Sequence, residues 1–437
     1  MHARQGQSHP TDPVASSRQL QRRLFLAAKK SANRRFHALH DRLVRPDILR
    51  RAWSEVRANG GAAGIDGVSI EAIERAGVEA FLSELSADLK ADRYRPRPVR
   101  RVSIPKPDGR SRPLGIPTVK DRVVQQACRL VIEPIFEASF CESSFGFRPR
   151  RSAVQAVRTV RSALVGGRYV VEADIRSFFD TLDHGLLLEL VRRRISDRRI
   201  VKLIRHWLTA GAVVDGRWEP TAQGVPQGGV ISPLLANIDL HMLDRIWQLQ
   251  HAHVGQFVRY ADDFVIVCRR PEQAAQARAI IGGILGRLKL TLHPDKTRVV
   301  DLDGAGFDFL GFHFHKLPSR RTGRLAPYAW PSQRALAHVR EKLRQLTRRM
   351  RLHVELPELV LGLNRIIRGW RAYFHEGNAT RQLAGLDRFL GARLWRFLGS
   401  RRSRGTLQVA AFRAWLARSG LDAFYPRGRG SLQLCTP

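Results

Sequence analysis

Phe257-Val258-Arg259-Tyr260-Ala261-Asp262-Asp263-Phe264-Val265-Ile266-Val267-Cys268 is the stretch on which the reading of this chain turns. Two adjacent carboxylates interrupt a run that is otherwise almost wholly β-branched, aromatic or apolar, a pattern that predicts strand, tight turn, strand. A buried carboxylate is costly unless a partner offsets its lost hydration. Aspartate is also a common residue of solvent-exposed hairpin turns. The stretch alone therefore admits two readings: an exposed turn, or a pair that holds a divalent cation through hard oxygens.

Working outward, Tyr169-Val170-Val171-Glu172-Ala173-Asp174-Ile175 alternates as a strand does, with Val170, Glu172 and Asp174 on one face. Phe178-Phe179-Asp180 follows, then a helix whose N-cap is Thr181 or Asp183. A cap accounts for Asp183 but not for Asp174. Gln223-Gly224-Val225-Pro226-Gln227-Gly228-Gly229 is a Gly/Pro-punctuated turn that runs through Ser232-Pro233 into an amphipathic helix. Its glycines allow close backbone approach to a flat ligand, and Gln227 can both donate and accept hydrogen bonds. Three carboxylates on neighbouring strands would hold Mg²⁺ while leaving positions for a substrate phosphate. Two such ions can stabilise the attacking and leaving oxygens of a phosphoryl displacement.

Upstream, residues 1–30 are expected to be disordered. A helix from about Ala52 leads into the Gly-rich Asn59–Val68, read as a loop able to approach another chain or a nucleic acid closely. A single helix is expected over Ile70–Leu89. In the segment Tyr94–Pro117, Pro107-Asp108-Gly109 centres a hairpin flanked by Lys106, Arg110 and Arg112. Lys106 and Arg112 either grip a phosphate from one side of that hairpin or belong to a solvated basic edge strand. A helix over 119–139 carries Arg122, Gln125, Gln126 and Arg129 on one face.

The 437 residues suffice for two or three domains. The net charge of +36 comes mostly from arginine, with only ten lysines, and it predicts a polyanionic partner. No run of apolar residues is long enough to cross a membrane, and no membrane partner is expected. Cys128, Cys141, Cys268 and Cys435 are scattered without zinc spacing, which suits free thiols in a cytosolic protein. The N-terminus lacks a signal-peptide core. After Pro318 the pattern turns helical: 332–352, 357–375 and 386–398. In the second helix Leu359, Leu363, Ile366, Trp370 and Tyr373 share one stripe, with Arg365, Arg368 and Arg371 on another. Those arginines either contact phosphates or form a solvated face. Residues 400–437 are basic and poorly patterned.

Tyr260-Ala261-Asp262-Asp263 resembles the YxDD box of reverse transcriptases. Ala173–Asp180 is similar to their first palm motif, and Val225-Pro226-Gln227-Gly228 through Ser232-Pro233 to their second. Ala62–Val68, Ile104–Arg110, Pro294-Asp295-Lys296-Thr297 and Phe309-Leu310-Gly311-Phe312 resemble finger and later palm motifs of group II intron-encoded proteins. Leu363–Trp370, Tyr373-Phe374 and Leu394-Trp395 look like their maturase domain. The resemblance covers about residues 52–400. It implies an α+β right-hand polymerase, with fingers and palm over 51–318 and a three-helix thumb/maturase domain over 319–400. A basic, partly disordered leader (1–50) and a basic tail (401–437) would flank them.

By the same resemblance Asp174, Asp262 and Asp263 are the catalytic carboxylates, and Asp174, Ile175, Asp262 and Asp263 hold two Mg²⁺ ions. Phe179 rejects a ribose 2′-OH, Gln227 lines the base-pair pocket, and Lys106 and Arg112 hold the dNTP triphosphate. Arg365, Arg368 and Arg371 contact RNA. The implied partners are a group II intron RNA, an RNA template with DNA primer, target DNA and dNTPs. A bacterial cytoplasmic, nucleoid-associated location or an organellar one would suit these. The HNH-type endonuclease of the family finds no match before Pro437, so cutting of the target strand is expected to fall to the intron RNA. Two other readings compete: a domesticated relative acting in repair or phage defence, and a splicing factor whose polymerase is dead. The intact carboxylates disfavour the latter.

Overall fold

The computed structural model describes residues 13–105, 111–401 and 407–425. Lys106 and Arg110, at the tip of the expected finger hairpin, lie outside them. Two compact units form: Met1–Arg151, Ala173–Phe264 and Gln276–Thr297 make one, while Ser152–Glu172, Val265–Ala275 and Arg298–Pro437 make the other.

In chain order the first helices are α1 (Pro13–Lys30), α2 (His40–Leu43), α3 (Pro46–Asn59), α4 (Ile70–Ala76) and α5 (Val78–Lys90). The expectation of a disordered 1–30 fails from Pro13 onward. Leu20, Leu24 and Ala28, four residues apart, are buried, and α1 packs on α3 and on α6 (Val119–Glu137). The helix expected over 70–89 breaks at Gly77, whose φ of 104° few side chains tolerate. The Gly-rich loop does approach a backbone closely, but that of its own chain. A Cβ on Gly64 would lie 2.6 Å from Thr118 Cα, while Arg122 and Arg100 donate to Ala62 and Ala63 carbonyls. Helix α6 is buried nearly all round, including Arg122, Gln125 and Gln126, rather than presenting one polar face.

Strands β1 (Val99–Pro105) and β2 (Ser111–Ile116) pair antiparallel, with Ile104 opposite Arg112. They extend into a sheet of order β2-β1-β4-β5 through β4 (Ala212–Val214) and β5 (Arg217–Glu219). Between them in sequence come α7 (Ala153–Gly166), β3 (Tyr169–Asp174), α8 (Phe178–Thr181), α9 (His184–Arg192) and α10 (Arg198–Thr209). Asp183 caps α9 by accepting from Leu186 N at 2.9 Å, which settles the choice of cap. Next follow α11 (Ser232–Ile246), β6 (Gln256–Tyr260), β7 (Asp263–Cys268) and α12 (Pro271–Arg287). With β8 (Arg298–Asp301) the central sheet runs β6-β7-β3-β8.

The second unit adds a three-stranded sheet, β11-β10-β9, from β9 (Phe307–Phe309), β10 (Phe312–Pro318) and β11 (Leu325–Pro331). The bend expected at Gly311 is present, with φ of 51° at Leu310 and 77° at Gly311. Helices α13 (Gln333–Leu346), α14 (Leu356–Phe374) and α15 (Thr380–Arg401) share one core with α16 (Val409–Arg418). The seam of α14 is Leu359, Leu363, Ile367 and Phe374, turned slightly from the expected one, with Ile366 and Trp370 at its margin. The stretch beyond Arg401 is not merely a tail, since Phe412 and Phe424 are fully buried in that core. Among the described residues no helix is long and apolar enough to cross a membrane.

Candidate active site

Asp174 ends β3, and Asp262 and Asp263 sit at the turn between β6 and β7. All three belong to the first unit. The main chain around Asp174 is fixed by His293 N donating to its carbonyl at 2.8 Å and Arg176 N donating to Thr291 O at 2.9 Å. Ile175 lies between, so both bonds run through its neighbours. The Asp174 carboxylate accepts from Lys296 Nζ at 2.5 Å and is hydrogen-bonded to Asp263. Loss of water around its carboxyl, then the charges of Asp262 and Asp174, push Asp263 up to about 7, although part of its surface still meets solvent. Asp263 thus stands beside two other carboxyl groups, with the Lys296 ammonium against Asp174.

The turn itself is held from behind. Ala261 has φ of 58°, and Gly146 approaches so closely that a Cβ there would lie 2.3 Å from Ala261 N. Phe145 N donates to Arg259 O at 2.9 Å and Arg259 N to Ser143 O at 2.8 Å, pairing segment 143–145 with β6. The Arg259 side chain is wholly buried. Its guanidinium donates to both oxygens of Asp244 (2.7 and 2.5 Å), to Asn237 Oδ1 (3.1 Å), to Ser144 Oγ (2.8 Å) and to Ala261 O (2.8 Å). Every guanidinium nitrogen therefore finds an acceptor, as a buried arginine requires. The last of these bonds fixes the peptide just before Asp262. Asn237 in turn donates to Gly146 O at 2.8 Å, closing the ring around the turn.

A second group of predicted residues is also brought together. Val225 N donates to Phe179 O at 2.7 Å, and a Cβ on Gly224 would lie only 2.8 Å from that same carbonyl oxygen. Gln227 Nε2 donates to Asp180 Oδ2 at 3.2 Å, while Gly115 N at the end of β2 donates to Gln227 O at 2.7 Å. Phe179, Asp180, Gln227 and the finger strand thus form one wall. Lys106 is outside the described residues, and Arg112 is placed only by its register on β2. Arg365, Arg368 and Arg371 lie on α14 in the second unit, and Arg368 pairs with Asp422 at 2.5 Å.

Lys296 and Arg259 stand inside quoted motifs but are given no role by them, although an arginine inside an apolar strand is itself a signal that a buried acid awaits it. Among the described residues no group of three or more His, Cys, Asp or Glu side chains is gathered as a finished metal site. The donor set nevertheless suits a hard divalent cation. Burial and then the neighbouring carboxylates raise Asp263, and Lys296 supplies a cation against Asp174.

With fingers, a carboxylate-bearing palm and a helical C-terminal region, the fold is that of a right-hand polymerase. The chain matches the family described as "Reverse transcriptase (RNA-dependent DNA polymerase)" over residues 104–314, and "Group II intron, maturase-specific domain" over residues 336–415. It is 37% identical over 345 residues to "Protein YkfC" of Escherichia coli (strain K12), spanning 70% of this chain and 89% of that protein. It is 40% identical over 218 residues to "Group II intron-encoded protein LtrA" of Lactococcus lactis subsp. cremoris, spanning 48% of this chain but 35% of that protein. Similarity to "Nuclear intron maturase 2, mitochondrial" of Arabidopsis thaliana is 27% over 222 residues, 42% of this chain and 29% of that one. The chain belongs to the family of group II intron reverse transcriptases with a maturase-specific domain. Reverse transcriptase domains use divalent metal ions.

Proposed function

We propose that this protein binds a group II intron RNA, assists its splicing and copies it into DNA during retrohoming. The observation that supports this most is the convergence of Asp174, Asp262 and Asp263, with Asp263 driven upward first by loss of hydration and then by the charges of its two neighbours. Asp174, Asp262, Asp263 and the main chain of Ile175 would hold two Mg²⁺ ions, which supply activation of the primer 3′-hydroxyl and charge stabilisation at the leaving pyrophosphate. The chain's own groups do the rest. The Arg259 node keeps the Asp262–Asp263 turn in place. Phe179 closes the sugar edge against a ribose 2′-OH, a steric rejection rather than a lost bond. Gln227, braced by Asp180 and Gly115, lines the base-pair pocket, and Lys106 and Arg112 hold the triphosphate. Arg365 and Arg371, with Arg368 partly compensated by Asp422, bind intron RNA through its phosphates and shape.

The experiment is primer extension on an RNA template by the full chain and by Asp262→Ala. Synthesis should fall by a factor of about a thousand or more, as expected when transition-state charge stabilisation is lost, while RNA affinity stays within about twofold. Near-normal extension by Asp262→Ala removes the metal assignment. Splicing of precursor RNA at low Mg²⁺ tests the maturase half, which fails if the protein gives no acceleration and retains no intron RNA.

A further inference from the structure

The sheet of β9, β10 and β11 has two unlike faces. Phe312, Phe314 and Ala329 are buried. The two-residue period puts His313, His315, Tyr328 and Trp330 on the opposite face, with His313 paired to Trp330 and His315 to Tyr328. The Trp330 ring lies 5.1 Å from His313 and 6.5 Å from His315, so the rings form a continuous aromatic surface. Burial and the neighbouring His313 hold His315 below the usual histidine range, favouring its neutral, flat form.

The first turns of α15 run beside this surface and are tied to it. Asn378 N donates to Ala329 O at 2.5 Å, and Gly377 has no room for a Cβ, which would lie 2.6 Å from that oxygen. Between sheet and helix lies a cleft of about 1140 Å³, bordered by Tyr328 and Trp330 and by Arg320, Arg321, Arg381 and Arg388. It exceeds the roughly 300–1,000 Å³ of small-molecule sites. Other arginines of this unit, such as Arg158, Arg168 and Arg368, are paired with carboxylates. None of the four in the cleft has an ion-pair partner among the described residues. The acid in its lining, Asp387, is engaged by Phe424 N at 2.7 Å and Tyr425 N at 2.9 Å. Gln382, also in the lining, has a buried Oε1 acceptor without a hydrogen-bond partner among the described residues.

Aromatic faces beside unpaired arginines suit a strand whose bases are open to stacking; a duplex hides those faces. We propose that this cleft holds a single-stranded RNA segment, its bases stacked on Tyr328 and Trp330 and its phosphates held by Arg320, Arg321, Arg381 and Arg388. The choice of RNA over DNA rests on the maturase reading given above and on Gln382 as an acceptor for a ribose 2′-OH.

The test uses the full chain and a fluorescein-labelled oligouridine of about twelve nucleotides, within the length such surfaces cover. Tyr328→Leu should weaken binding about tenfold, as loss of one stacking platform does. Arg320→Ala/Arg321→Ala should reduce the slope of log affinity against log salt by about 1.4, roughly 0.7 for each single-strand phosphate that is no longer neutralised. Both variants should extend a saturating primer–template within about twofold of the unaltered protein. A 4-thiouridine oligomer should crosslink to the peptide bearing residues 328–330. Unchanged affinity in variants with unaltered circular dichroism, crosslinks confined to other peptides, or a DNA oligomer that binds as tightly would each overturn the proposal. Failure of the unaltered protein to extend a primer, with these binding effects intact, would instead count against the polymerase reading alone.

Discussion

Arg259 and Asp263 stand on the same hairpin and meet the protein interior in opposite ways. The arginine is wholly buried and every donor is spent, on Asp244, Asn237, Ser144 and Ala261. The carboxyl group is left among its own kind, with Asp174 and Asp262 beside it and one ammonium, Lys296, against Asp174. A saturated ion-pair node is a device for holding a shape. A surplus of negative charge next to it invites a cation. The rigid node lies behind the turn and the unfinished charge in front of it, so shape and reactivity are separated within a few residues.

The sharpest way to break the contrast is to remove the arginine. Arg259→Met leaves Asp244 buried without its partner, and we expect a loss of about 3–5 kcal/mol in denaturant unfolding. Adding Asp244→Leu should recover much of that stability without restoring the hold on Ala261 O, so primer extension should remain impaired. Full activity in the double variant would mean that the turn needs no such anchor. A smaller effect is expected in front of the turn. Lys296→Met removes a cation from Asp174, and the affinity for Mg²⁺ should rise by about three- to tenfold, read by calorimetric titration. Unchanged or weaker Mg²⁺ binding would show that the lysine does not oppose the ion.

A third variant separates burial from function. Asp239 on α11 is buried, its Oδ2 lacks a hydrogen-bond partner among the described residues, and loss of hydration, then the charge of Asp183, push it up to about 7. Its folded value lies above the unfolded value of about 3.9, so its contribution to stability is complete below that pH and is lost as pH rises through 7. Asp239→Asn should therefore stabilise the protein by up to about 4 kcal/mol more at pH 8 than at pH 4, about three pH units at about 1.4 kcal/mol each. Equal effects at both pH values would refute the assignment.

The strands and carboxylates of the palm are legible in the sequence because they rest on local signals. A period of two, a Gly/Pro turn and paired acids in an apolar run need no knowledge of partners. Helix α1 is not legible, since Leu20, Leu24 and Ala28 are a thin stripe among arginines and become a core only against α3 and α6. The same holds for Phe412 and Phe424, whose burial is decided by α13–α15 and not by their neighbours in sequence. The three carboxylates are marked by their setting in the chain, whereas the acceptors of Arg259 are not. Those four partners come from residues 144, 237, 244 and 261, and no spacing rule links them.

Helix α7 carries a further consequence, in the order of folding. Its unit is assembled from three separated stretches of chain, and Arg158 of α7 finds Glu376 across 218 residues. Contacts that distant close late, because the loop entropy comes before any reward. During synthesis α7 therefore emerges long before β11 and α15 exist to receive it. Ser152 and Gln155 form a reciprocal capping box at its start, which supports a helix from within its own sequence. The cap lets α7 wait as a preformed part, so that what forms last is a docking event and not a helix.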